Sequence, residues 1–169
     1  VIEAMTPRTW KESVDLMRLG VKEVDANPDG LSLTGGLMEV MTSTGILTRE
    51  GSLDTQSAGF KKGMEIFHTI LHATPAYAYL TSKGNTPKDQ ISVGRQWARL
   101  NLKTTEMGLS LHPVSQALQE YPEMDEQYRN IHDLLAKPSE TVQMLGRLGY
   151  GPETPQSPRW PLEAKLKNG

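Results

Sequence analysis

The sequence predicts an α+β fold, and three observations lead there. Several stretches carry apolar residues at helical spacing, the longest ending near Met107. Two others read as strands, Pro75 to Thr81 and Thr141 to Leu148, far apart in the chain. Isolated strands among helices lack the regular strand–helix–strand alternation of a doubly wound parallel sheet.

Taken in order, Thr9-Trp10-Lys11-Glu12 has capping-box spacing, with Thr9 placed to bond a first-turn amide and Glu12 to reach back. Val14, Met17 and Val21 then keep one face apolar, so one helix is expected through about Val24. Asn27-Pro28-Asp29-Gly30 breaks it as a turn. Leu31-Ser32-Leu33 reads either as a very short strand or as an extended connection. A short helix is expected over Leu37 to Thr42 and a loop over Thr44 to Leu53. Phe60, Met64, Phe67 and Leu71 share one face of a helix running from about Thr55 to His72. In the strand that follows, tyrosines alternate with small or apolar residues until Lys83-Gly84-Asn85 ends it. Thr86 is placed as an N-cap with Pro87 at the first helical position. That helix should reach Met107, where Gly108 suits the left-handed closing position. A further helix over Glu123 to Ala136 stops at Lys137-Pro138. The second strand comes next, and the tail from residue 152 to 169 is read as extended and proline-rich.

Composition narrows the possible functions. A chain of 169 residues is long enough for one domain with a core. The net charge of −2 gives no polycationic footprint for nucleic acid. No apolar run is long enough to span a bilayer, so no membrane partner is expected. The first ten residues lack the charged and apolar regions of a signal peptide, and the expected location is cytoplasmic. The absence of cysteine removes disulfides, thiolate nucleophiles and cysteine-based zinc sites together. Because the chain begins at Val1 and not at Met, a missing N-terminal part is expected.

Two segments carry candidate chemistry. In Leu111-His112-Pro113-Val114-Ser115-Gln116, Pro113 fixes its own φ and pushes His112 towards an extended conformation. With Ser115 as a cap, free N–H groups are expected near Val114 to Gln116. A flavin can use such amides, because its N5 gains or loses a proton as the ring changes redox state. An ordinary helix-to-helix corner explains the same residues. In Ser157-Pro158-Arg159-Trp160-Pro161, two prolines restrict the backbone, so Arg159 loses less entropy in holding its guanidinium still. That planar fork of donors suits a phosphate monoester, and Ser157 can add a hydroxyl. A surface arm with Arg159 on a carboxylate is the alternative.

The stretch from Gly94 to Gln119, the stretch TVQMLGRLGYG from Thr141 to Gly151, and SPRWP from Ser157 to Pro161 occur in a telling order. Together they resemble the C-terminal half of the FMN-binding nitroreductase-like proteins, above all the Acg-type branch. The resemblance covers nearly the whole chain, from the first helix through NPDG and TREG to SPRWP. It implies a nitroreductase fold, helices around a small, mostly antiparallel sheet, in a single domain over residues 1–169 that is incomplete at its N-terminus. It implies FMN as cofactor, with Arg159 on the phosphate and the main chain of Pro113, Val114, Ser115 and Gln116 along the ring edge. Electrons would pass from a nicotinamide nucleotide, NAD(P)H, through FMN to a nitroaromatic, quinone or similar acceptor. No acid or base side chain is obligatory in that chemistry, and no catalytic residue is assigned. The same fold without turnover would bind or store flavin. Three departures stand out. Ser157 or Trp160 occupies the place of a second basic residue, and Ser115-Gln116 stands where Glu-Gly is usual. The family's N-terminal arginine/serine motif has no counterpart before Trp10. The site would therefore be completed by the missing half or by a second copy in a homodimer.

Other groupings are weaker. His68 and His72 lie one helical turn apart, a zinc-compatible spacing, but Thr69 stands where a metalloprotease needs its glutamate. A metal-dependent hydrolase around them is a third option; no metal site is assigned. Arg95, Arg99 and Lys103 form a stripe at i, i+4, i+8, the usual look of a solvated or ion-paired face.

Overall fold

The single helix expected from Thr9 to about Val24 is divided into three elements in the computed structural model, which describes residues 1–152 and 156–166. Helix α1 (Ile2–Met5) precedes them. Pro7 then opens α2 (Pro7–Asp15) behind an extended Thr6, as a first-position proline does. Thr9 is therefore inside the helix and not its cap; its hydroxyl donates to the carbonyls of Glu3 and Thr6 at 3.1 and 3.0 Å. Met17–Leu19 leaves the helical path as strand β1 and is followed by α3 (Gly20–Ala26). The cause is non-local. β1 pairs in parallel with β2 (Leu31–Leu33), and the backbone bonds so formed override a helical spacing that Met17 fits equally well.

The chain falls into two compact units, Val1–Thr69 with Thr154–Gly169, and Ile70–Glu153. In the first, the loop expected over Thr44 to Leu53 is corrected at its end. Thr48 accepts the Gly51 amide at 2.9 Å and caps a short helix, α5 (Arg49–Leu53), behind α4 (Gly36–Ser43). Arg49 ties this unit together, donating to the Met17 carbonyl at 3.0 Å and to Glu23 at 2.5 Å. The Leu19 amide, assisted by Arg49 and opposed by burial, holds the Glu23 carboxyl below its ordinary range. Helix α6 (Ala58–His72) begins three residues later than expected. Asp54 accepts the Gln56 amide in a turn, and Ser57 takes the cap by accepting the Phe60 amide at 3.0 Å. Trp10 meets Phe60 edge-on at 5.8 Å and donates to the Ser52 carbonyl at 2.6 Å. Beside them Val14 is 1% exposed, a burial worth about 1.5–3 kcal/mol.

The second unit is built on a three-stranded antiparallel sheet in the order β3-β5-β4. β3 (Ala76–Ser82) and β5 (Thr141–Gly149) fall where the sequence places strands. Between them α7 (Pro87–Glu106) starts on the expected cap. Thr86 accepts the Asp89 amide, Asp89 accepts the Thr86 amide in return, and Gly108 closes the helix at φ +70°. The α7 side chain Trp97 lies against β5 so closely that a Cβ on Gly146 would meet its ring at 2.5 Å. The segment after Gly108 differs from the expectation of a turn. Ser110–Pro113 forms β4 and pairs with β5, His112 facing Arg147. A 3-10 turn (Pro122–Met124) leads into α8 (Asp125–Leu135). The architecture is thus α+β with a small antiparallel sheet, together with the separate parallel pair β1–β2. Of the proline-rich tail, residues 153–155 and 167–169 lie outside the described residues; the rest is irregular apart from a 3-10 turn at Leu162–Ala164.

Candidate functional site

Within the first unit, the tail and the segment from Pro28 to Leu33 enclose an open cleft of about 650 Å³. Gly30 shapes its body side. It sits at φ +69° with Leu16's carbonyl only 2.2 Å from where a Cβ would stand, and that carbonyl accepts the Leu31 amide at 2.8 Å. Since Leu31 turns its amide towards β1, strand alternation turns the backbone of Ser32 to the free edge of β2, which lines the cleft. Ser157, Arg159 and Lys165 line it from the tail side, so two of the residues predicted from sequence are brought together. Arg159 is exposed and donates to the Pro158 carbonyl at 2.9 Å, which orients its guanidinium.

Three contributors escaped the sequence reading. Asp29, read there as a turn residue, accepts Trp160 Nε1–H at 2.8 Å on Oδ2. Its Oδ1 accepts Arg18 Nε and Nη2 at 3.1 and 2.7 Å. The Trp160 bond first, and Arg18 next, lower the Asp29 carboxyl below its ordinary range. Lys165 lies with Nζ 4.7 Å from the centre of the Trp160 ring, a cation–π placement that returns it to the cleft. Its six-residue distance from Arg159 hid it; the 3-10 turn between them closes that distance.

The predicted ring-edge segment lies in the second unit. Pro113 ends β4, and Ser115 opens a 3-10 helix (Ser115–Leu118). The expected free amide at Val114 is corrected, because it donates to the Leu145 carbonyl at 3.0 Å. Ser115 does not cap this helix; its hydroxyl donates to the same carbonyl at 3.2 Å. The amides of Ser115 and Gln116 precede the first 3-10 hydrogen bond. Next to this segment, Arg147 Nε donates to His112 Nδ1 at 3.3 Å. Partial covering of the ring, and then the Arg147 charge, lower the His112 pKa below its ordinary 6.5.

A stability consequence follows from His112. Between its lowered folded value and 6.5, the unfolded chain binds more protons than the folded one. Stability should therefore rise with pH through that interval and level off above it. Urea midpoints across pH 5–8 should show this slope in the wild type and a shallower one in His112→Gln. Identical slopes would contradict the assignment.

His68 and His72 lie one turn apart on α6, and among the described residues no group of three or more His, Cys, Asp or Glu side chains is placed to hold a metal ion. On α7, Lys103 pairs with Glu106 at 2.8 Å while Arg95 and Arg99 are exposed. Among the described residues no helix is long and apolar enough to cross a membrane. No family model, no curated protein and no solved structure matches the chain.

Proposed function

We propose that this chain is an FMN-binding oxidoreductase of nitroreductase type, passing electrons from NAD(P)H through the flavin to a nitroaromatic, quinone or similar acceptor. The observation that carries the reading is the meeting of Ser157, Arg159 and Lys165 on one cleft. Two cations and a hydroxyl are the donor set a phosphate monoester takes, and Arg159 can offer two parallel N–H groups to it. Lys165 supplies the second positive charge that the wording of SPRWP lacks. The ring-edge role of Pro113, Val114, Ser115 and Gln116 rests on the resemblance to nitroreductase-like proteins. Of the four, Pro113 has no N–H and Val114 donates to Leu145, which leaves Ser115 and Gln116 to offer an amide to the ring. In this reading an N-terminal half or a second copy completes the grip on FMN.

Absorbance after incubation with FMN and desalting tests the proposal. Retained flavin is expected in the wild type, and Arg159→Ala should bind about tenfold more weakly or worse with an unchanged far-ultraviolet spectrum. Equal affinity in the two proteins would remove Arg159 from the site. NAD(P)H oxidation by the yellow protein should follow; retained flavin with no oxidation would identify a flavin-storing protein instead.

A further inference from the structure

We infer that Asp29 is a positioning residue for the tail, and that its hydrogen bond to Trp160 sets Arg159 and Lys165 against the cleft. The inference rests on reading that cleft as a phosphate site, and it adds to it the device that builds the site. Asp29 stands at the turn between α3 and β2, on the body side, and joins two partners at once. Arg18, from β1, takes one carboxylate oxygen with two N–H groups, at 3.1 and 2.7 Å. Trp160, from the tail, takes the other at 2.8 Å. Arg18 is only 18% exposed at its side chain, so it holds the carboxylate from a packed strand. It also balances the negative charge that would otherwise repel an anion from the cleft.

The consequences run along the tail. Trp160 directly follows Arg159, so fixing the indole fixes the backbone that carries the guanidinium. Its ring bears the Lys165 ammonium at 4.7 Å. Arg18, Asp29, Trp160 and Lys165 thus form one chain of contacts from β1 to the far side of the cleft. Asp29 is the link at which body and tail meet. A tail held only by apolar contact would leave both cations to wander, and each would lose rotamer entropy on meeting a phosphate. The tail held through Asp29 is organised before the ligand arrives.

The test uses the whole chain with two readouts. FMN affinity is measured by quenching of flavin fluorescence for wild type, Asp29→Ala, Asp29→Asn and Trp160→Phe. In parallel, the indole N–H resonances of the three tryptophans are recorded without ligand. Trp160→Phe assigns one of them by its loss. Trp10 and Trp97, one in each unit, report whether the fold is intact. The expected result is FMN binding roughly three- to tenfold weaker in Asp29→Ala and Trp160→Phe. Asp29→Asn, which keeps an acceptor oxygen, should recover part of the loss. In Asp29→Ala only the Trp160 resonance should move, towards that of a solvated indole. If wild type binds FMN and both variants bind it equally well, the positioning role is overturned while the phosphate site stands. If no protein binds FMN, the phosphate reading fails, and the Trp160 resonance alone decides whether Asp29 holds the tail. An unmoved resonance in Asp29→Ala overturns the inference in either case.

Discussion

Replacing Gly30 by alanine is expected to cost about 3 kcal/mol or more, enough to unfold much of the first unit at moderate denaturant. Two effects add. The left-handed backbone at φ +69° disfavours any Cβ by about 1–2 kcal/mol. The new methyl would also stand 2.2 Å from the Leu16 carbonyl, a backbone atom that no rotamer change can move. That carbonyl accepts the Leu31 amide at 2.8 Å and starts the β1–β2 pairing, so retreat of either segment breaks the bond. Gly63, inside α6 with nothing within 4 Å of its missing Cβ, is the matched control. Alanine there should be neutral or stabilise by about 0.5–1 kcal/mol. Urea midpoints of the two variants should move in opposite directions or differ widely. Similar midpoints would refute the close approach at Gly30. If the cleft holds FMN as proposed, any Gly30→Ala protein that remains folded should also bind it more weakly, because Gly30 lines the cleft.

His132→Ala is expected to remove about 2–3 kcal/mol from the second unit. The Val142 amide donates to His132 Nε2 at 3.0 Å, so that nitrogen is the acceptor. The remaining ring nitrogen, Nδ1, lies 2.8 Å from the Tyr128 carbonyl and donates to it. The imidazole therefore links two turns of α8 to the start of β5. Val142 is 3% exposed, so its N–H depends on the imidazole for its acceptor while the ring is in place. The ring also lies against Tyr128, with centroids 4.1 Å apart. His132→Gln, whose amide oxygen can reach the Nε2 position, should recover part of the loss. A glutamine variant no more stable than the alanine variant would assign the effect to ring packing instead. A disturbed β5 would be read at its partner strands, since both β3 and β4 bond to it.

Residue identities alone were enough for α7, though not for every local signal: the Thr9 capping box fell inside the helix that Pro7 opens, and Thr48 capped α5 where a loop was expected. Thr86, Pro87, Asp89 and Gly108 lie within or just beyond the helix they start and stop, and α7 runs between them. β3 and β5 fall where the sequence places strands, β3 on its alternating tyrosines. Ser157 and Arg159 line the cleft beside Pro28 to Leu33. What depended on partners distant in the chain was decided only by tertiary structure. Met17–Leu19 became a strand because Leu31–Leu33 lies beside it, against a spacing that suits a helix. Ser110–Pro113 became a strand, and Val114 lost its free amide, because Leu145 and its neighbours offered carbonyls and amides. Lys165 joined Arg159 only through the turn that lays it over Trp160, and Asp29 became an anchor only when Trp160 reached it across 131 positions of sequence. Caps, prolines and short-range periodicity act within a turn or two of the chain and can be read from residue order. A hydrogen bond between distant segments depends on where the folded chain brings its backbone, and local propensity carries no record of that.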